Sequence, residues 1–407
     1  MRKFLLFFVT VCTFLIMGCA DSEDFQQKGN RLDPYASLHI NQDEALDISQ
    51  KVMKHSPTTR SANALASPIF SYVTNGASTR YASVPDTLAY VINYPNNGGF
   101  VIVSSDKRVY PVLAYSYNGN FSMDNEIAKA NFIDNIGGYI NEASANVVYE
   151  VSDKDFDGCY SQSPKLQTSI HQKSPWDKYV VEENPGCPVG CVAVATALVL
   201  THSTPMIKLH GSAYSCKSIV NAISAEQNKD KGISFPTFRE KPCEWDEVEQ
   251  PTYTYQQAVD SMAKILYWIG KDLKMQYSPS VSLAYSEDAY DLCRILGVKT
   301  SRYNDYDVDD VITYLKNQCM IYMRGIDMNG NGGHAWVCDG YSYCVDSDDK
   351  TKMVNQYIHC DWGFGGDGNG YFCGEIFEAA EYRFKPLNYF AVKRGRYDVF
   401  TITTIEK

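Results

Sequence analysis

Cys191 stands where a glycine- and proline-rich segment, Asn184-Pro-Gly-Cys-Pro-Val-Gly-Cys191, runs straight into Val192-Ala-Val-Ala-Thr-Ala-Leu-Val-Leu200, a stretch apolar on every face. Its alanine content favours a buried helix, so Cys191 falls at a helix start. There the unpaired backbone N–H groups and the positive end of the helix dipole favour thiolate over thiol, and the thiolate is the nucleophile. Gly190 would let a substrate backbone come close where a side chain would block it. Of the seven histidines, His334 follows Gly330-Asn-Gly-Gly333 and opens Ala335-Trp-Val-Cys-Asp-Gly-Tyr341. That is a loop-to-strand junction, where a ring can face a cleft while the strand holds it in place. Further on, His359-Cys-Asp-Trp-Gly-Phe-Gly-Gly366 offers the Asp361 carboxylate to fix the imidazole tautomer, with Trp362 to shield that hydrogen bond from water. Thiol, imidazole and carboxylate together suit nucleophilic acyl transfer. Taken singly, each has a structural alternative: a buried cysteine at a helix cap, or a histidine satisfied in a core.

The elements that must hold these residues can be read from pattern. Asp86 to Tyr94 and Phe100 to Ser104 are β-branched and aromatic runs joined by Asn96-Asn-Gly-Gly99, a hairpin signal. Val109 to Tyr117 extends it, and Glu126 to Asn146 carries apolar residues at helical intervals. This reads as a small α+β unit ending near residue 150. Residues 151–165 are polar and read as a linker that carries a maturation site. Beyond it, Gln256 to Leu273 has helical spacing, while Met320 to Met323, His334 to Tyr341, Val354 to Cys360 and Tyr389 to Val392 are short strand-like runs. A helical half followed by a strand-rich half is the order of an α+β fold.

Bulk properties narrow the function. The chain has 407 residues, with 44% hydrophobic and 21% charged, enough for two folded units. A formal net charge of -11 argues against nucleic acid as a partner, because phosphate neutralisation needs clustered Lys and Arg. Arg2 and Lys3 precede an apolar run, Phe4 to Met17, with the features of an export leader, and no later run approaches the length of a membrane span. The thirteen cysteines show no zinc-type spacing, so no metal or other cofactor is expected. Eleven cysteines lie beyond the leader, which leaves at least one unpaired thiol in an exported chain. Two patterns are decoys. Gly363-x-Gly365-x-x-Gly368 lacks a strand–turn–helix context for a dinucleotide, and Asp327-x-Asn329-x-Asn331-Gly332 has Cys338 where a calcium loop needs Glu.

Four segments together resemble the streptopain-type peptidases, papain-like cysteine peptidases of bacteria. Gly190-Cys191-Val-Ala-Val-Ala-Thr-Ala197 is similar to the family's nucleophile helix, and Gly332-Gly-His-Ala-Trp-Val337 with Asp339-Gly340 to its histidine strand. Asp361-Trp-Gly-Phe-Gly-Gly366 resembles its Asn-Trp-Gly-Trp-Gly-Gly segment, and His171-Gln172 with Ser174-Pro175-Trp176 its upstream Gln-x-x-Pro-aromatic segment. The resemblance implies Cys191 as nucleophile, His334 as base, Asp361 as its orienting partner and Gln172 as a donor to the oxyanion. Gly190, Gly333 and Trp362 would line the substrate cleft. Asn97 to Tyr115 is similar to the family's inhibitory pro-segment, and Met275 to Ser282 to a stretch within the peptidase domain. Leu15-Ile-Met-Gly-Cys19 resembles a bacterial lipobox, which implies lipidation at Cys19 and a tether to the cell envelope.

The expected organisation is therefore a leader over 1–19, a tether over 20–42, an inhibitory prodomain over 43–150, the linker, and a papain-like α+β peptidase domain over 166–407. Its partners would be protein or peptide substrates, its own prodomain and, through the lipid anchor, the membrane. Two other readings of the same residues are a cell-wall amidase or transpeptidase and an inactive protein-binding homologue. Asp361 and Phe364 depart from the family's Asn and Trp, and a carboxylate beside the histidine would raise its pKa.

Overall fold

The computed structural model describes residues 36–55, 67–75, 86–156, 159–166, 168–229, 251–301, 305–327, 333–345, 353–378 and 384–393. The leader, Cys19 and most of the calcium-like loop after Asp327 lie outside the described residues. Helix α1 (Gln42–Lys54) is capped by Asn41, whose side chain accepts from the Glu44 amide. Four strands follow: β1 (Ile69–Thr74), β2 (Thr87–Asn93), β3 (Phe100–Ser104) and β4 (Val112–Ser116). The expected hairpin is β2 and β3. Its turn places Asn96 and Asn97 at φ of 58° and 55°, the left-handed region that asparagine tolerates best after glycine. The single helix expected over 126–146 is instead two, α2 (Glu126–Asn131) and α3 (Ile136–Glu142), with a 3-10 turn between them. Phe132, at φ -130° and ψ -59°, leaves the helical path there, and its ring packs against Phe372 and Phe377.

The C-terminal half begins with β5 (Tyr160–Gln162), α4 (Lys178–Glu183) and α5 (Cys191–Ser203). A small hairpin, β6 (Met206–Leu209) and β7 (Ser212–Ser215), leads into α6 (Cys216–Gln227). Helix α7 (Tyr255–Asp272) opens with a capping box in which Thr254 and Gln257 satisfy each other's backbone. A second small hairpin, β8 (Gln276–Tyr277) and β9 (Ser282–Leu283), precedes α8 (Ser286–Ile295) and α9 (Val308–Lys316). The strand-rich part is β10 (Cys319–Asp327), β11 (Gly333–Val345), β12 (Met353–Asp361), β13 (Gly370–Cys373), the short helix α10 (Glu375–Glu378) and β14 (Phe384–Lys393). Each strand-like run expected there is found, longer than its apolar core.

Both halves share one sheet. Among the described residues its order is β1-β2-β3-β4-β13-β12-β11-β10-β14, with β5 added alongside β11. The seam is the antiparallel pair β4–β13, where Tyr371 faces Tyr115 and Phe372 faces Ala114, and the two tyrosine rings stack at 5.1 Å. Residues 160–162, expected within a linker, are this added strand, in register with Tyr341–Tyr343. The Cys159–Cys344 disulfide fastens the segment covalently.

Strand alternation divides the core in two. Ala335 and Val337 of β11, with Met320 and Tyr322 of β10, pack among the helices α5, α6 and α7. Trp336 and Cys338, with Ile321 and Met323, pack with the N-terminal half in the other cluster. The N-terminal half thus covers one face of the strands that carry His334. Its Phe132 ring is fully buried there, and losing such a ring typically costs roughly 3–5 kcal/mol.

Candidate active site

Gly190 is the N-cap of α5, at φ +96°, a conformation that side chains rarely adopt. A Cβ there would lie 2.6 Å from Met275 Sδ, so the Met275 side chain packs directly over this glycine, whose torsion is what disfavours a side chain. Cys191 follows as the first helical residue and is half-buried. Burial pushes its thiol above the usual range, while the backbone of Ala335, Val192 and Cys191 itself pulls the other way. The sulfur is therefore held against main chain at the helix start and against β11, one residue past His334.

His334 is buried and its Nε2–H donates to the Trp362 carbonyl at 3.1 Å. Its ring lies parallel to that of Trp336, with centroids 6.3 Å apart. Burial lowers its pKa to about 4, opposed by the Trp362 carbonyl. Parity explains what it meets. His334 and Trp336 share the face of β11 that packs with the N-terminal half, whereas Ala335 and Val337 share the face toward α5. No hydrogen bond joins Cys191 to His334 among the described contacts. Asn131 of α2 fills the space over Gly325, leaving no room for a Cβ, and Gly325 is the partner of His334 across β10 and β11.

Asp361 differs from expectation for the same reason. It pairs with Val337 and so lies on the face opposite His334; cross-strand partners project to the same side. Its Oδ1 accepts from the Gly363 amide at 2.9 Å, closing the turn into the glycine-rich loop. The tryptophan beside it is fixed by two bonds, Trp362 Nε1–H to the Gly368 carbonyl and Trp362 N–H to Asn369 Oδ1, each at 3.2 Å. Trp362 thus serves His334 through its carbonyl, and its indole is fully buried beside Trp336 rather than lining an open cleft. A second buried pair, His359 Nδ1 and Asp339 Oδ1 at 2.6 Å, occupies the face that Asp361 shares.

Gln172 is half-buried, and its carbonyl accepts from the Val189 amide at 2.8 Å, which ties its segment to the chain just before Cys191. The glycine-rich loop closes over the same segment, with Gly365 N–H donating to the Ile170 carbonyl at 3.1 Å. Gly333 is exposed at the start of β11, opposite Ile326.

The buried pair of titrating groups makes a test of this arrangement. Burial raises Asp361 to about 6 and lowers His334 to about 4. A carboxyl raised on folding adds stability below its unfolded pKa, near 4, and loses it as pH rises through about 6. An imidazole lowered on folding adds stability above about 6.5 and loses it as pH falls through about 4. The two slopes oppose each other across the same window, each on the order of 3 kcal/mol. Asp361→Asn removes one of them. Its thermal midpoint should fall steadily as pH drops through that window, whereas the unmodified chain stays flatter. Equal pH profiles would contradict the burial of one group or the other.

Comparison with known proteins decides the lineage. Residues 170–372 match the Peptidase C10 family, and residues 37–135 match the Spi protease inhibitor. The chain carries a Peptidase C10 family domain. Streptopain of Streptococcus pyogenes is 25% identical over 320 residues, covering 70% of this chain and 73% of streptopain. A second streptopain of that species is 26% identical over the same length. A fragment of Prevotella intermedia prointerpain A aligns over 80% of this chain and 98% of its own, at 20% identity and a TM-score of 0.48. The active interpain A cysteine protease of that organism aligns over 60% of this chain at 19% identity and a TM-score of 0.37. The family domain, the inhibitor match and the streptopain relatives make this a streptopain-type cysteine peptidase zymogen with an inhibitor-like prodomain over 37–135. In the C10 zymogen the partner of His334 is a backbone carbonyl, for which no side-chain signal exists in the sequence. The Cys159–Cys344 bridge was equally hidden, since cysteine counting leaves the pairing open.

Proposed function

We propose that the chain is an exported cysteine endopeptidase, latent while its prodomain is in place, with Cys191 as nucleophile and His334 as acid–base partner. The observation that carries this reading is the sulfur at the start of α5 lying against the β11 backbone one residue from His334. With the prodomain docked, burial keeps the thiol protonated and the imidazole neutral, so the ion pair that supplies a thiolate is absent. Moving His334 across β11 would bring it to the face that holds both Cys191 and Asp361, where the carboxylate could fix its tautomer. The thiolate then attacks the peptide carbonyl, the Cys191 amide and the Gln172 side chain stabilise the oxyanion, and imidazolium protonates the leaving amine. Water releases the acyl group. Protein substrates suit a site whose latency is enforced by a polypeptide.

Incubating the purified precursor with reductant tests this reading. Self-processing and casein hydrolysis, both blocked by an epoxysuccinyl inhibitor of cysteine peptidases, are expected. A fully processed enzyme that leaves casein intact would overturn it.

We read the leader and Cys19 as an export signal and a lipid anchor. The Cys159–Cys344 disulfide fits an oxidising compartment. Radiolabelled palmitate should enter the chain in bacterial cells, and labelling that survives Cys19→Ser would remove the anchor.

A further inference from the structure

Cys338 of β11 and Cys360 of β12 are direct partners in the antiparallel ladder, and directly opposed residues project to the same side of a sheet. Their sulfurs meet. The two Sγ atoms are 3.7 Å apart, both residues are free thiols, and both are fully buried in the cluster shared with the N-terminal half. The chemistry at Cys191 uses neither. Burial pushes the Cys360 thiol well above its usual range, and the Cys338 sulfur beside it adds to the rise, so in the folded chain Cys360 is no nucleophile. Little separates this contact from a bond. Facing residues of an antiparallel pair have Cα atoms roughly 4.5–5.5 Å apart, within the range of about 4.4–6.8 Å that disulfides span, so turning the two side chains closes the gap without moving the backbone. The same strand already carries a disulfide, at Cys344. The pair stands four residues after His334 on β11 and one residue before Asp361 on β12.

We propose that Cys338 and Cys360 are the site of a second disulfide, a cross-strand bond that joins the strand bearing His334 to the strand bearing Asp361. This rests on the export reading above, since such a bond persists in an oxidising compartment. The oxidant is itself a disulfide. The thiolate of one cysteine attacks an oxidant sulfur and expels a thiolate, and the thiolate of the other cysteine then attacks the mixed disulfide and expels the second. The protein loses two protons and two electrons as its S–S bond forms, and the oxidant's S–S bond is reduced to two thiols. Both sulfurs are out of reach once the N-terminal half has packed over this face, so the exchange belongs to folding. The same burial protects the product. Cys159 and Cys344 are only half-buried, so a mild reductant opens their bridge first and leaves the ladder under His334 and Asp361 cross-linked while the Cys191 thiol is kept reduced. The rearrangement proposed for His334 is then confined to the residues of β11 ahead of Cys338.

The experiment uses the full-length Cys191→Ala precursor, which cannot process itself, recovered from the envelope of expressing bacterial cells. Free thiols are blocked with iodoacetamide in denaturant without reductant, and the digest is mapped by mass spectrometry. A peptide holding Cys338 joined to one holding Cys360 is expected. Alkylation of both residues, or a bond from either to a different cysteine, would overturn the proposal. The Cys159–Cys344 bridge serves as the internal control: its presence beside two alkylated thiols sinks the proposal and leaves the export reading standing. Absence of both bridges counts against export, and the same chain refolded from denaturant with glutathione and its disulfide then decides the pair by the same map. In native protein treated with dithiothreitol, the Cys338–Cys360 bond should open more slowly than Cys159–Cys344 by on the order of tenfold or more, because a buried bond is reached only through local unfolding. Opening at an equal or faster rate would contradict a bond at this buried position.

Discussion

Replacing Cys191 with alanine should leave a full-length precursor that melts at close to the wild-type temperature and has no measurable peptidase activity, a loss on the order of 10^6-fold. Two features of the site argue for so large an effect. The sulfur is held against backbone at the start of α5, and in the proposed mechanism the oxyanion donors and His334 act only on a thiolate at that point. Removing a methylene-sized sulfur from a half-buried position changes little packing. Stability and activity therefore separate cleanly, the first read by thermal unfolding and the second by casein hydrolysis. Turnover at the wild-type rate would transfer the chemistry to some other residue.

Gln172→Ala should lower kcat by roughly 100- to 1000-fold, the usual effect of removing one preorganised donor to an oxyanion. The Gln172 main-chain carbonyl is bonded to the Val189 amide, so the attachment of this segment to the chain just before Cys191 does not depend on the Gln172 side chain. The variant should therefore process slowly and bind substrate with a KM near that of wild type, while its thiol still alkylates. Unchanged turnover would make Gln172 an ordinary residue of the segment that the glycine-rich loop covers.

Much of the fold was legible because it rests on local chemistry. Asn96-Asn-Gly-Gly99 announces a hairpin, since few residues accept the left-handed torsions of its turn. The uniform apolarity of Val192 to Leu200 announces burial on all sides, and α5 is buried throughout after Cys191. Helix α7 was bounded within one residue at each end, since the spacing of its apolar face is unbroken and Thr254 caps it. Long-range pairings were not legible. Nothing in Gly370–Cys373 says that its neighbour will be β4, more than 250 residues earlier, because an edge strand accepts any partner of suitable register. The break at Phe132 is likewise tertiary: a helical pattern continues through it, but the ring is drawn between Phe372 and Phe377.

At the site, residue types were readable and their pairing was not. Cys191, His334 and Asp361 are marked by their neighbours in the chain, yet a strand shows alternate residues to opposite faces. A sequence does not say which face a distant helix will cover. In the precursor that parity sets His334 against Trp336 and the Trp362 carbonyl, with Asp361 turned to the Gly363 amide. The expected triad is therefore the arrangement proposed for the mature enzyme.

The most direct test of this account is the rate of alkylation of Cys191 by iodoacetamide as a function of pH, followed by peptide mapping in the Asp361-containing precursor and in the matured enzyme. The account predicts that in the precursor the rate climbs only in the alkaline range, as for a buried thiol whose pKa is raised, and that maturation moves the rise into the acid range as His334 comes to pair with the sulfur. Identical profiles before and after maturation would contradict it.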